Sequence, residues 1–248
     1  MHARIVEAFN KEFVTANGRI AAPFQTAHVL ALYFQLLPEH KQQRAIEDLV
    51  KLIENNDGCM TTGFVGTPYI CLALSRYGRN DLAYQLALNR KFPSWLYSVE
   101  QGATTIWEHW DGIKPDGTFW SEQMNSFNHY AYGSIGEWLF RVVAGIDIEP
   151  SQPGFKYIRI QPMPDPSLTY VNATYNSLYG EIRSSWSYEE SNRFRIQVTL
   201  PANTKATIRL PGAHVSQVEP KWNAVAVDGG AEISLGSGNY EWEYALEK

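Results

Sequence analysis

Residues 102–112, GATTIWEHWDG, set two carboxylates, one imidazole and two indoles within one short stretch. An ionised carboxylate is costly to bury, and a large aromatic is costly to leave in water. Side by side they predict a cleft for a ligand with both a flat face and hydroxyl groups, as a sugar has. Thr104, Thr105 and Ile106 are β-branched and disfavour helix, so the segment is expected to be extended. Alternation then turns Ile106, Glu108 and Trp110 to one side and Trp107 and His109 to the other. Glu108 thus presents a carboxylate beside an indole; its structural alternative is a loop glutamate paired with a nearby Lys or Arg. Trp107 and Trp110 are candidate stacking platforms for a pyranose, one of them expected to serve as core filler instead.

Further along, MNSFNHYAYGS gathers Asn125, Asn128 and His129 at the start of a helix. Amides and imidazoles offer directional hydrogen bonds suited to reading hydroxyl groups. His129 either contacts the ligand or satisfies backbone near the helix start. Asp111, Asp116 and Glu122 could act as an acid, but they sit among turn signals (Asp111-Gly112, Asp116-Gly117) and read as solvated loop residues.

The elements that must position these residues fall into two regions. Up to Gly145 the apolar period is helical. Ile5, Phe9 and Phe13 mark a first helix that stops at Asn17-Gly18. His28–Leu37 is apolar on nearly every side and predicts a buried helix. Pro38 opens a third, with Ile46, Leu49, Val50 and Ile53 as its inner stripe. Thr67-Pro68 reads as an N-cap followed by proline at the first helical position, and Gly78 as the C-terminal stop. Shorter helices are expected over 81–89, 94–101 and 134–143, the last with Trp138 in the core. From Pro150 the period becomes two. KYIRIQP, EIRSSWSY, RFRIQVTLP, KATIRLP and YEWEYAL alternate apolar and polar residues, with Asp228-Gly229 as a hairpin turn. The expected organisation is α+β and multidomain: helical hairpins over 1–149, then an antiparallel β-sandwich over 150–248 that holds Trp186, Trp222 and Trp242.

Composition excludes several classes. The net charge of −5, with signs scattered, gives no reason to expect nucleic acid or an anionic membrane as partner. No apolar run is long enough to span a bilayer, and MHARIVEAFNKEF does not read as a secretory signal. The two cysteines, Cys59 and Cys71, imply neither a disulfide framework nor a zinc site and are expected as buried thiols. Asn172-Ala173-Thr174 fits a glycosylation acceptor, a pattern too short to carry weight. The eight tryptophans are the compositional oddity; they suit carbohydrate binding and equally a protein with large interfaces.

TTGFVGTPY, GATTIWEHWDG and MNSFNHYAYGSIGEWLFRVVAGI resemble the carboxyl-terminal part of the bacterial α-L-rhamnosidase family. GRIAAPFQTAHVLALYFQLLP is similar to a helical hairpin of those enzymes, and the stranded region to their terminal sandwich. The resemblance implies an (α/α) toroid with the sugar at its hub. It also implies hydrolysis of terminal α-L-rhamnose from a glycan or glycoside, with inversion and no cofactor. Carried over by motif, Glu108 is the general base and His129 a sugar contact. One departure stands out: the family's acidic cluster, in an Asp-Cys-Pro-type motif ahead of these segments, has no counterpart here. The chain therefore looks like the back half of such an enzyme, with its general acid in a missing upstream part and, by itself, little activity. An export signal would lie in that part too, so the compartment is not readable. Half a toroid would leave helical faces uncovered near Val29-Leu30-Ala31-Leu32, with self-association expected. The alternative is a non-catalytic carbohydrate-binding or scaffolding module built on a toroid remnant. Other sugar-active toroid enzymes share the fold, but a phosphorylase would need a basic phosphate cradle and none accompanies Glu108.

Overall fold

A computed structural model describes residues 1–246. They form two compact units, one of Met1–Ile135 and one beginning at Gly136. No helix of the described residues is long and apolar enough to cross a membrane.

The first unit is helix on helix: α1 (His2–Phe13), α2 (Gln25–Tyr33), α3 (Glu39–Glu54), α4 (Thr67–Arg76), α5 (Asn80–Ala87) and α6 (Trp95–Glu100). α3 buries Ala45, Ile46, Leu49, Val50 and Ile53, an apolar stripe at helical spacing that packs on α2. α4 packs on both α2 and α5. α2 begins about a turn before the predicted His28, and its first residue, Gln25, is buried with its amide engaged. Its Nε2 donates to the Cys59 carbonyl at 3.0 Å and its Oε1 accepts from the Thr61 N–H at 2.7 Å. Both cysteines are free and buried.

Two expectations are corrected here. Val29, Ala31 and Leu32 are fully buried, so they are not an uncovered border. The uncovered helix is α1, of which no residue is buried and whose stripe leaves Ile5 and Phe13 exposed. Thr67 does not cap α4 but is its first residue. Its hydroxyl donates to the Thr62 carbonyl at 2.8 Å and closes the loop between them. Gly66 allows that closure, since a Cβ there would lie 2.9 Å from the Thr62 Cγ2.

The second unit opens with the end of α7 (Ile135–Trp138), which continues as a π-helical turn over Leu139–Val143. Trp138 is buried, as expected. The helix stops at Gly145 for a physical reason: φ is +76°, and a Cβ would sit 2.1 Å from the Pro162 nitrogen. Seven strands follow: β1 (Ile146–Ile148), β2 (Tyr157–Ile160), β3 (Tyr170–Ser177), β4 (Gly180–Glu189), β5 (Arg193–Pro211), β6 (Val225–Val227) and β7 (Gly230–Ala245). β5 and β7 form a long antiparallel ribbon whose register shifts between Leu200 and Lys205. Before the shift β5 pairs with β4, and β3 lies outside β4. After it β5 pairs with β2, and β1 lies outside β2. RFRIQVTLP and KATIRLP are therefore one bulged strand rather than two. The β2–β5 pair is parallel, which makes a mainly antiparallel sheet mixed. Asp228-Gly229 is the two-residue turn between β6 and β7, with Gly229 at φ +73°. Trp186 and Trp242 are buried, and Trp222 is half-buried with its ring edge-on to that of Trp242.

Candidate active site

All five predicted site residues lie in the first unit, on two segments joined by backbone hydrogen bonds. The Glu108 N–H donates to the Ser126 carbonyl at 2.9 Å, and the His129 N–H to the Ile106 carbonyl at 2.8 Å. Side chains add to this seam. Asn125 Nδ2 donates to the Gly112 carbonyl at 2.9 Å, and the Thr105 hydroxyl to the Phe127 carbonyl. The segment around Glu108 is a series of bends rather than a strand, and strict alternation fails with it. Glu108 and His109, predicted on opposite sides, face each other with Oε1 and Nε2 4.0 Å apart. Trp107 and Trp110, also predicted on opposite sides, are both buried, at 5% and 9% exposure. The three-residue step between the tryptophans is closer to a helical turn than to a strand, which turns both inward.

The buried indoles pack among other aromatic rings. Trp110 stacks on Tyr132 with ring centroids 3.7 Å apart and 12° between planes, and Trp95 meets it edge-on. Trp95 donates to the Tyr132 carbonyl at 2.8 Å, and the Ser98 hydroxyl of α6 donates to the Trp110 carbonyl at 2.8 Å. α6 is held in turn by Ser94, whose hydroxyl caps it by accepting from the Tyr97 N–H. Trp107 packs edge-on against Phe127. These contacts fix the backbone on both sides of Glu108.

The Glu108 side chain is 25% exposed. Among the described residues no Lys or Arg pairs with it, which removes the simple ion-pair alternative. Tyr132 feels its charge: burial, and then the Glu108 carboxylate, push the phenol above its usual range. His129 accepts the Ala131 N–H at its Nδ1 (3.2 Å), and its ring stacks on Phe64 with centroids 4.7 Å apart. Phe64 comes from the loop that Thr62 and Thr67 close. Asn128 is exposed.

Sequence reasoning did not single out Phe64, Tyr132 or Trp120. Trp120 is 44% exposed and stacks on His109, centroids 3.5 Å apart and planes 11° from parallel. Each faces the site across a gap in sequence, which periodicity does not span. Asp116 is a turn residue: its carboxylate accepts from the Thr118 hydroxyl (2.7 Å) and N–H (3.0 Å), bonds that hold it below the usual range. No group of three or more His, Cys, Asp or Glu among the described residues is placed to hold a metal ion.

Residues 1–143 match the model of the bacterial alpha-L-rhamnosidase 6 hairpin glycosidase domain, and residues 145–224 that of the bacterial alpha-L-rhamnosidase C-terminal domain. The class is thus that of six-hairpin glycosidase domains followed by a β domain. The chain belongs to the bacterial α-L-rhamnosidase family. It is 39% identical over 244 residues to an α-L-rhamnosidase of Streptomyces avermitilis, covering 98% of this chain and 23% of that protein. Against one from Formosa agariphila the identity is 41% over 213 residues, covering 85% of this chain and 23% of that protein. The crystal structure of the Streptomyces avermitilis α-L-rhamnosidase complexed with L-rhamnose superposes with a TM-score of 0.90 at 38% identity. It is covered over 23% of its length by 98% of this chain. The chain therefore spans about a quarter of the length of these relatives.

Proposed function

We propose that these residues carry the general-base side of an inverting α-L-rhamnosidase, with residues 1–149 as part of its toroid and 150–248 as its terminal sandwich domain. The observation that carries the reading is Glu108: a partly exposed carboxylate that has no Lys or Arg partner among the described residues and lies between the buried Trp107 and Trp110 within the matched motif. In the reaction, a water oxygen bonds to the anomeric carbon of the rhamnosyl unit and gives its proton to Glu108. The C–O bond to the leaving group breaks as a general acid protonates the leaving oxygen. Rhamnose of inverted configuration and the free alcohol result, with no cofactor. His129 and Asn128 are assigned to sugar hydroxyls. Trp107 and Trp110 border the sugar from beneath, chiefly as support.

An inverting pair of carboxyl groups stands about 6.5–9.5 Å apart to admit the water. Asp116 is committed to its turn, and neither Asp111 nor Glu122 lies in the matched pattern as an acid. The acid is accordingly assigned to sequence outside these residues. The test is a chromogenic α-L-rhamnoside offered to this chain alone and then with a segment carrying the family's acidic motif added in trans. The reading expects background rates alone and turnover on addition. Turnover by the chain alone, abolished by Glu108→Gln, would place an acid within these residues. Rhamnose binding without turnover in either case would favour a binding module.

A further inference from the structure

Glu108 Oε1 and His109 Nε2 lie 4.0 Å apart, beyond direct hydrogen-bond reach. The separation suits a third group. A water about 2.8 Å from each atom would subtend about 90° between them, an ordinary arrangement for a water with two partners. Both side chains are about a quarter to a third exposed, so water can reach the gap. The imidazole is not free to swing away, because the Trp120 indole lies flat against it at 3.5 Å. Trp120 is itself tied down. Its backbone N–H donates to the Gly112 carbonyl at 3.1 Å, while an Ile113–Phe119 bridge and a Lys114 N–H to Thr118 carbonyl bond of 2.8 Å close the loop between.

We infer that His109 is a water-positioning residue: Trp120 clamps its ring so that Nε2, together with the Glu108 carboxylate, holds the water that attacks the sugar. This rests on the general-base reading of Glu108. One anchor leaves a water free to rotate about its hydrogen bond. A second fixes the oxygen, so that the proton bound for Glu108 and the lone pair bound for the anomeric carbon are oriented together. The stoichiometry is that of the hydrolysis, and His109 neither gains nor loses a proton overall.

Two substitutions separate this role from a purely structural one. His109→Phe keeps a flat ring for Trp120 and removes the nitrogen, whereas His109→Gln supplies a neutral polar group and gives up the ring. The assay uses the enzyme with the segment that supplies its general acid present. His109→Phe is expected to lower kcat about 10–100-fold with KM within about twofold, and His109→Gln, which keeps a polar atom for the water but not the clamp, to lose several-fold less kcat than His109→Phe. Crystals of the parent chain and of His109→Gln should show a water bridging residue 109 and Glu108 that is missing from His109→Phe. Activity kept by Phe and lost by Gln would assign His109 to the stack alone and overturn the inference, as would a loss confined to KM. If Glu108→Gln loses activity and His109→Phe does not, only the inference fails. If Glu108→Gln keeps activity, the general-base reading fails and takes the inference with it.

Discussion

The backbone N–H of His129 donates to the Ile106 carbonyl at 2.8 Å, so the two segments predicted to carry chemistry are joined two residues from Glu108. The Glu108 N–H returns the link to Ser126. The segments that bear the carboxylate and the imidazole are thus joined by main chain, and among the described residues no Lys or Arg pairs with Glu108. Substitutions at Glu108 should act on chemistry and leave the fold in place.

Cys71 gives a pH prediction. Burial pushes its thiol up to about 12 from an ordinary 9.0. Its folded pKa lies above the unfolded one, so its contribution to stability is complete below about pH 9 and is lost as pH rises towards 12. Within that window the unfolded chain ionises first, and stability should fall by up to about 1.4 kcal/mol per pH unit from this group. Below pH 9 a thiol reagent should leave Cys71 unmodified in the native chain and label it fully in urea. Rapid native labelling of Cys71 would contradict its burial.

Asp147 should be the polar keystone of the second unit. Its buried carboxylate accepts from Arg141 Nε (3.1 Å), Arg159 Nη2 (2.5 Å) and the Ile148 N–H (2.8 Å). Removing one partner of a buried pair typically costs about 3–5 kcal/mol. Both arginines here are about a third exposed, so Asp147→Ala is expected to cost about 2–3 kcal/mol once solvent screening is allowed for. Urea unfolding followed through the buried Trp186 would measure it. A midpoint unchanged from the parent would show that the network adds nothing.

α1 predicts a surface property. Its apolar stripe of Ile5, Phe9 and Phe13 has no buried member, and a patch of that kind binds hydrophobic dyes. Fluorescence of such a dye should rise with the parent chain and fall substantially with Ile5→Asp combined with Phe13→Asp. Equal binding by both would locate the exposed apolar surface elsewhere.

How much of this was legible in the sequence depends on whether a residue's partner lies nearby along the chain. α3 was legible because Ile46, Leu49, Val50 and Ile53 repeat along one helix, and the stop at Gly145 because no Cβ fits there. β3 was missed: as the outer neighbour of β4 it has no buried residue, so YVNATYNS carries no clean apolar alternation. The break expected at Pro201-Ala202-Asn203 is a bulge inside one strand, since β7 pairs on both sides of it. At the candidate site, Glu108 and His129 are proposed from motif, while the facing of Glu108 and His109 depended on bends that β-branched residues alone did not foretell. Phe64 and Trp120 reach the site through loop closures, at Thr62–Thr67 and Gly112–Trp120, that only the fold reveals.

The most direct test of the central claim is the turnover of a chromogenic α-L-rhamnoside by Glu108→Gln, in the enzyme with its acid-bearing segment present. Glutamine keeps the shape of the side chain and cannot take the proton of the attacking water. A general base contributes about 10²–10⁴ in rate, so kcat should fall by that factor while the melting temperature stays within about 2 °C of the parent. Turnover within about threefold of the parent, or a loss accounted for by unfolding, would contradict the assignment of Glu108 as the base.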